Sequence, residues 1–580
     1  VDDSIESIME MGIAKASYLS KWAGGLGGSW TQVRGLGALI KGTGGRSNGV
    51  IPFLKIHNDM LVAVNQGGKR NGSGAVYLEV WHSDIYSFLE LRRNTGDERR
   101  RTHDTNTAVW VPDLFMKRVL NREHWTLFHS NEVPDLHHLY GSDFEKKYLE
   151  YEELAEKGII YGKKVEAIDL WRNILRMLYE TGHPWITFKD ACNYGNPQDH
   201  VGVIHSSNLC TEITLNTSNE EVAVCNLGSI VLDTHVNDNG VIDEELLART
   251  IKIAIRALDN VIDINFYPIS EAERSNKLHR PIGLGVMGLH YALYKAGIPY
   301  DSDEATQFGE KLIETVSYYA HYYSALLAKE KGPYSTFEGS KWSRGWLPCD
   351  YVNVIEEKRG ISTGINGISC NQDRWNELRF LIKKYGIRNS NVMAIAPTAT
   401  IANIMGTSPS TEPLFTNLYV KSNFSGDFVI WNHYLEDYLR KHNLWNDNVI
   451  KRIIYHDGDV EKALEGLVDE NTFSYFCTMF KTAFQVSQFR LIEQAAYRQK
   501  WIDQSQSLNI FYSGNSLKEL SEIYLYAWQL GLKTTYYLRT MGASRIEKST
   551  VHKSEITPEQ NETYLQPACR LNDPNCESCQ

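Results

Sequence analysis

Three short apolar runs read as buried strands: Val76–Trp81, Trp125–Phe128 and Val392–Ala396. Each is too short for a globular helix and too continuous for a half-exposed strand, which is the pattern of a strand covered on both faces. Between them, apolar residues recur at intervals of three and four. Leu247, Ile251, Ile255, Leu258 and Ile262 form one stripe, and Phe308, Leu312, Val316, Tyr319 and Tyr323 form another. Each stripe is one face of an amphipathic helix. Strand and helix alternation along most of the chain predicts an α/β fold with a parallel sheet or barrel. From about Glu547 to Gln580 the periodicity stops. That stretch is polar, carries Pro558, Pro567 and Pro574, and reads as a mobile tail.

Glycine is concentrated near the start. Ten of the 26 residues from Gly24 to Gly49 are Gly, and Gln66-Gly67-Gly68-Lys69-Arg70-Asn71-Gly72 follows. Such density suits loops that approach or cradle a nucleotide, and equally suits plain flexible loops. The 580 residues exceed the usual span of a single core (roughly 250–300 residues), which leaves two domains or one large barrel. A net charge of −11 argues against a broad nucleic-acid face. No apolar run reaches the roughly 18–20 residues needed to cross a bilayer, and the first residues are acidic and polar where a secretory signal is basic, then apolar. Nine cysteines are too sparse for a disulfide framework and point to a reducing, cytoplasmic compartment.

The most chemical local pattern is SSNLCTEI at residues 206–213. As an extended strand it would project Asn208, Cys210 and Glu212 from one face, an amide, a thiol and a carboxylate in a row. The plainer reading is a half-buried strand with a core cysteine. A second apolar segment, Val222–Leu227, could lie beside it and bring Cys225 near Cys210. In Met393–Asn403 a strand runs into Pro397-Thr398-Ala399-Thr400, with proline suited to a first helical turn and free N–H groups suited to phosphate; an ordinary threonine cap fits as well. Tyr536-Tyr537 is an adjacent pair of phenols. Cys576-Glu577-Ser578-Cys579 is a CxxC without a second half, which favours a redox dithiol over a zinc site.

Taken in order along the chain, SNLCTEI, VAVCNL, WAGGLGG, QGGKRNG, APTATIAN, IDQSQSLNIF, TTYYLR and the terminal CESC resemble the large, catalytic subunit of class I ribonucleotide reductase. The resemblance covers essentially the whole chain. It implies a ten-stranded α/β barrel of two antiparallel five-stranded halves spanning residues 1–546, with the reactive cysteine on a central finger loop. Residues 547–580 would be the redox-active tail, and elements within residues 1–75 would bind an effector.

The resemblance also implies roles. Cys210 would become a thiyl radical and take the 3′-hydrogen of a ribonucleoside diphosphate, Glu212 would accept the 3′-hydroxyl proton, and Asn208 would hydrogen-bond the sugar. Cys225 would be one of two reducing thiols. Its partner would lie in an upstream strand, and no residue of Val1–Gly24 is a cysteine. Gly24, Pro397, Thr398, Ala399, Thr400 and Ile401 would contact substrate. Tyr536 and Tyr537 would pass a radical to Cys210. Cys576 and Cys579 would reduce the active-site disulfide by thiol exchange and be reduced in turn by thioredoxin or glutaredoxin. Asp3, Ser4, Ile5, Lys21, Arg34 and Lys41 would bind a dNTP or ATP effector, with Mg2+ accompanying the nucleotide, and Gln66 and Arg70 would relay its identity. No cofactor or metal would be held tightly by the chain; the radical would come from a separate metal-containing small (beta) subunit. A homodimer and a separate N-terminal fragment are further expected partners, with no nucleic acid and no membrane.

Two other readings are weighed beside this one. A class II reductase shares the barrel and cysteines but draws its radical from adenosylcobalamin; the tyrosine pair in TTYYLR speaks against it. An inactive nucleotide-binding homologue would explain the absent cysteine, but it gives no reason to keep the tail dithiol.

Overall fold

The computed structural model describes residues 1–64, 71–365, 372–423 and 426–540. Gln66, Arg70 and the cysteines at 370, 569, 576 and 579 lie outside the described residues, as does the region read as a tail. The chain is α/β, and eight of the strands among its described residues form two parallel sets. The first is a four-stranded sheet of β1 (Leu26–Ser29), β2 (Gly74–Glu79), β3 (Thr105–Val111) and β4 (Trp185–Phe188), hydrogen-bonded in that order. Every residue of β2, β3 and β4 is buried, as expected of parallel strands covered on both faces.

The second set contains β5 (Asn226–Val231), β6 (Ile282–Met287), β7 (Ile510–Tyr512) and β8 (Leu538–Thr540). β5 pairs with β6 and β7 pairs with β8, all parallel. Residues 392–396 join these pairs, through parallel bridges from Leu284 to Met393 and from Ile395 to Gln506. The predicted strand there is therefore an extended, fully inserted segment with isolated bridges. The two sets meet antiparallel, at the bridge between Thr187 and Thr534. Four members of one half and five of the other are thus present among the described residues, with the halves opposed as a barrel of this design requires. The predicted Trp125–Phe128 strand lies within His124–Phe128, paired antiparallel with Gly162–Glu166 across an intervening helix and linked to the first sheet through a parallel bridge from Phe128 to His82.

Long helices cover the strands. In helix Glu244–Ile264, Asp243 caps the N-terminus by accepting from Leu246 N–H, and Leu247, Ile251, Ile255 and Ile262 are buried. Each such side chain contributes about 1.5–3 kcal/mol on burial. The predicted stripe is off by one residue at a single point: Asp259 is fully buried where Leu258 was expected, and Leu258 is only half-buried. Asp259 is tolerated because Arg280 donates to it at 3.0 Å, with Lys331 and Arg388 within 3.5 Å. Helix Asp303–Lys331 packs alongside, with Leu312 and Val316 buried. No helix among the described residues is long and apolar enough to cross a membrane.

Candidate active site

The segment bearing Cys210 is not a strand. Leu209-Cys210 form a turn, and Thr211 takes a left-handed backbone (φ 66°), which a β-branched residue adopts only when held there. The hold is visible. Thr534 Oγ1 donates to the Thr211 carbonyl at 2.7 Å, Ser505 N–H donates to the Glu212 carbonyl at 2.9 Å, and Tyr77 Oη donates to the Asn208 carbonyl at 2.7 Å. These anchors come from both strand sets, so the turn sits between them. Gly27 of β1 lies against it so closely that a Cβ would fall 2.3 Å from the Ser207 carbonyl oxygen. Glycine is obligatory at that point.

The turn nevertheless gathers the three groups singled out from sequence. Asn208 Oδ1 accepts from Ile213 N–H at 3.3 Å, closing the loop, and its side chain also hydrogen-bonds Glu212. Ser507 Oγ reaches both the Glu212 carboxylate, at 3.1 Å, and the Cys210 carbonyl. Burial, partly offset by these hydrogen bonds, raises the Glu212 carboxyl to about 7. Burial, and then the nearby Glu212 charge, push the Cys210 thiol upward, so it holds its proton. Tyr536 Oη donates to Cys210 Sγ at 3.4 Å, and the Tyr537 ring follows with its centroid 4.3 Å from that of Tyr536. Trp185 packs on both, at 4.7 and 5.1 Å.

Cys225 immediately precedes β5, packed with Ile213 and Leu215 from the downstream arm of the turn. Gln504 Nε2 donates to its sulfur at 3.7 Å while Gln504 Oε1 accepts from Thr214 N–H at 3.3 Å. Burial raises this thiol too, and the Glu212 charge adds to the shift. All cysteines among the described residues are free thiols. The expectation of two adjacent strands is thus replaced by a turn and a strand start, with Cys225 packed against Ile213 and Leu215.

The Pro397–Ile401 loop starts just past Ile395, whose carbonyl accepts from Ser507 N–H at 3.0 Å. Its helix runs Ala399–Met405, so Pro397 precedes the cap instead of entering the first turn. Thr398 is the capping residue, in left-handed backbone (φ 53°), but its hydroxyl accepts from Ser410 N–H and caps nothing in the helix. Gly24 sits in the turn before β1, its N–H bonded to the Leu19 carbonyl; beside it Ala23 is also left-handed (φ 66°). Non-glycine strain therefore recurs on three loops holding sequence-flagged residues.

Of the expected effector residues, Asp3, Arg34 and Lys41 line one cavity of about 340 Å³, with Gln32, Asn131 and His137. Arg34 forms a paired contact with Asp3 at 2.8–3.0 Å. Ser4 instead caps a short helix by accepting from Ser7 N–H, while Ile5 and Lys21 are exposed and do not line the cavity. Sequence reasoning singled out no individual residue of IDQSQSLNIF. Yet Asp503 accepts from Val392 and Met393 N–H at 2.7 Å, and Gln504, Ser505 and Ser507 all bond the Cys210 turn or Cys225. The alternation of short polar residues in a buried strand approach was the available signal.

The sequence profile of the ribonucleotide reductase barrel domain matches residues 1–538. The ribonucleoside-diphosphate reductase subunit alpha of Chlamydia pneumoniae is 51% identical over the whole of this chain, which covers 56% of that protein. The large subunits of Vaccinia virus and Arabidopsis thaliana are 42% and 39% identical, over 96% and 100% of this chain and 69% and 72% of their own lengths. The chain spans about half the length of the chlamydial relatives. With the opposed parallel halves and the central cysteine turn, these matches show that the chain belongs to the ribonucleotide reductase barrel-domain family.

Proposed function

We propose that this chain is the catalytic core of a ribonucleoside-diphosphate reductase, converting ribonucleoside diphosphates to 2′-deoxyribonucleoside diphosphates for DNA-precursor synthesis. The observation that carries the reading is the juxtaposition at Cys210: a protonated thiol touched by Tyr536, backed by Tyr537, and flanked by Asn208 and Glu212 on a strained, dry turn.

In this reading, oxidised Tyr536 takes a hydrogen atom from the Cys210 sulfur, leaving a thiyl radical and a restored phenol. Neutral partners suit this step, because a hydrogen atom crosses without separating charge in a low-dielectric site. The thiyl takes the 3′-hydrogen while Glu212 accepts the 3′-hydroxyl proton. The 2′-hydroxyl leaves as water, and Cys225 with a second thiol gives up two electrons and two protons, forming a disulfide. Returning the hydrogen to the sugar regenerates the thiyl. We propose that the second thiol comes from an upstream segment, supplied in the same polypeptide or in trans. The oxidising equivalent would come from a metal-bearing small subunit, and Cys576 and Cys579 would pass electrons from thioredoxin or glutaredoxin. The Asp3–Arg34–Lys41 cavity would take the effector nucleotide with its Mg2+, at a homodimer contact, and Gln66 and Arg70 would relay its identity.

The test is CDP reduction with a radical-generating subunit, a dNTP effector and dithiothreitol, with and without an upstream fragment carrying a cysteine. Cys210→Ser is expected to reduce turnover to background while effector binding is retained. Normal turnover by that variant would overturn the reading. Sustained native turnover without the fragment would overturn the proposed source of the second thiol.

A further inference from the structure

Ser507 carries no assigned role, yet its hydroxyl lies between the two most important groups of the turn. It has a single proton to donate and two acceptors within reach, Glu212 Oε2 at 3.1 Å and the Cys210 carbonyl oxygen. Both acceptors and the hydroxyl are buried, so no bulk water can take over for whichever is left unbonded. The Ser507 backbone is itself held from behind, its N–H donating to the Ile395 carbonyl at 3.0 Å, so a turn of the hydroxyl about its own bond is enough to change acceptor.

We propose that Ser507 is a positioning residue whose hydroxyl switches acceptor with the protonation of Glu212, so that the proton taken from substrate is reported to the backbone of Cys210. The proposal deepens the catalytic reading above and rests on it for its role in turnover. While Glu212 is ionised, its carboxylate is the stronger acceptor and holds the Ser507 proton. When Glu212 accepts a proton, a neutral carboxyl oxygen competes poorly, and the hydroxyl turns to the Cys210 carbonyl. Only a proton moves, from the substrate hydroxyl to the carboxylate; the hydroxyl keeps its own hydrogen and no electron is transferred. The Cys210 carbonyl is thus bound more firmly once Glu212 is neutral, the state in which the thiyl must stay aligned with the sugar.

The groups facing Glu212 leave it as the one that changes charge near neutrality. Cys210 on its own turn, Tyr77 from β2, Cys225 at the start of β5 and Tyr536 beyond Cys210 are all held above their ordinary values, first of all by burial, and stay protonated. Asn208 and Ser507 are neutral hydrogen-bond partners, and both stabilise the ionised form.

The test is an infrared titration of the intact chain, with the Glu212 band identified by its loss in Glu212→Gln. Backbone 13C=O labelling of cysteine reports the Cys210 carbonyl, whose band is the one lost in Cys210→Ser. In the native chain the Cys210 carbonyl band should shift with the same midpoint as Glu212. Ser507→Ala should raise the Glu212 midpoint by about one pH unit and abolish the linked carbonyl shift. Ser507→Thr, which keeps a hydroxyl, should restore both. If Ser507→Ala does not fold, Ser507→Cys serves in its place, since a weak thiol donor should raise the midpoint and weaken the linkage. A carbonyl band that ignores Glu212 in the native chain, or that keeps its shift in Ser507→Ala, overturns the proposal. The titration needs no turnover, so an inactive complex would defeat the catalytic reading and leave this result standing. In the active complex, Ser507→Ala should move the acid limb of the kcat profile upward by the same amount.

Discussion

The Cys210 turn and the Asp3–Arg34–Lys41 cavity handle charge in opposite ways. Around the turn, burial holds the protons on Cys210, Cys225, Tyr77 and Tyr536 and brings Glu212 to about 7. In the cavity, Asp3 and Arg34 are formally charged, about a fifth to a quarter exposed, and paired with one another. The difference teaches what each place can do. A dry pocket whose thiols and phenols stay neutral suits hydrogen-atom transfer, and a carboxyl that titrates near neutrality can take up and return a proton there. A half-open ionic cavity suits a polyanion that must bind and leave reversibly, because water and salt share the cost of separating the charges.

The largest effect is expected at the tyrosine pair. Tyr536→Phe removes the phenol that touches the Cys210 sulfur and should lower turnover driven by the radical subunit to background. Tyr537→Phe should do the same, because the Tyr537 side chain hydrogen-bonds Tyr536 and continues the phenol pair. Turnover by either variant, measured as dCDP formed, would break the link between the pocket and radical transfer.

The next test concerns the stability cost of the neutral pocket. The Glu212 carboxyl lies at about 7 in the folded chain against an ordinary value of 4.5. Across that window the folded state binds a proton that the unfolded chain has released. Stability is therefore greatest below the ordinary value and falls as pH rises toward 7. The difference of about 2.5 units corresponds to about 3 kcal/mol lost by pH 8. Glu212→Gln should recover most of that loss at pH 8 and little at pH 4.5, as read from denaturant midpoints at the two pH values. Glu412 and Asp190 also lie at about 7 and act in the same window, so the comparison between native and variant isolates Glu212.

The smallest effect belongs to the cavity. Arg34→Ala should weaken dNTP binding about tenfold, the loss of one charge-assisted contact, with turnover at saturating effector changed less than about twofold. Calorimetry should also show native dNTP affinity falling as salt rises, while the titration of Glu212 stays within about 0.2 unit, because buried groups are screened much less. An Arg34→Ala chain that binds normally would remove the nucleotide reading of the cavity and leave the Cys210 pocket intact.

Much of this contrast was legible in the residues, and the reason differs from element to element. Buried strands such as β2 announce themselves because parallel strands covered on both faces need continuous apolar runs. The stripe in Glu244–Ile264 gave the helix but missed Asp259, because three basic partners arrive from distant parts of the chain. SSNLCTEI announced its chemistry but not its shape. An alternating reading predicted a strand, whereas contacts from Thr534, Ser505 and Tyr77 force a turn that local propensity does not favour.

The sequence by itself determined the α/β class, the strands and helices with strong periodicity, and the residue types for thiol, carboxylate and phenol chemistry, together with the order of motifs that marks the family. These follow from local composition and spacing, which the chain carries wherever it folds. Only the tertiary structure decided that Tyr536 touches Cys210 across 326 positions, that Ser507 stands between Glu212 and the Cys210 backbone, and that the two parallel halves oppose one another. It also decided how far Glu212 moves toward neutrality. Those properties depend on which groups exclude water from which others, and exclusion of water is a property of the packed molecule, not of any segment in it.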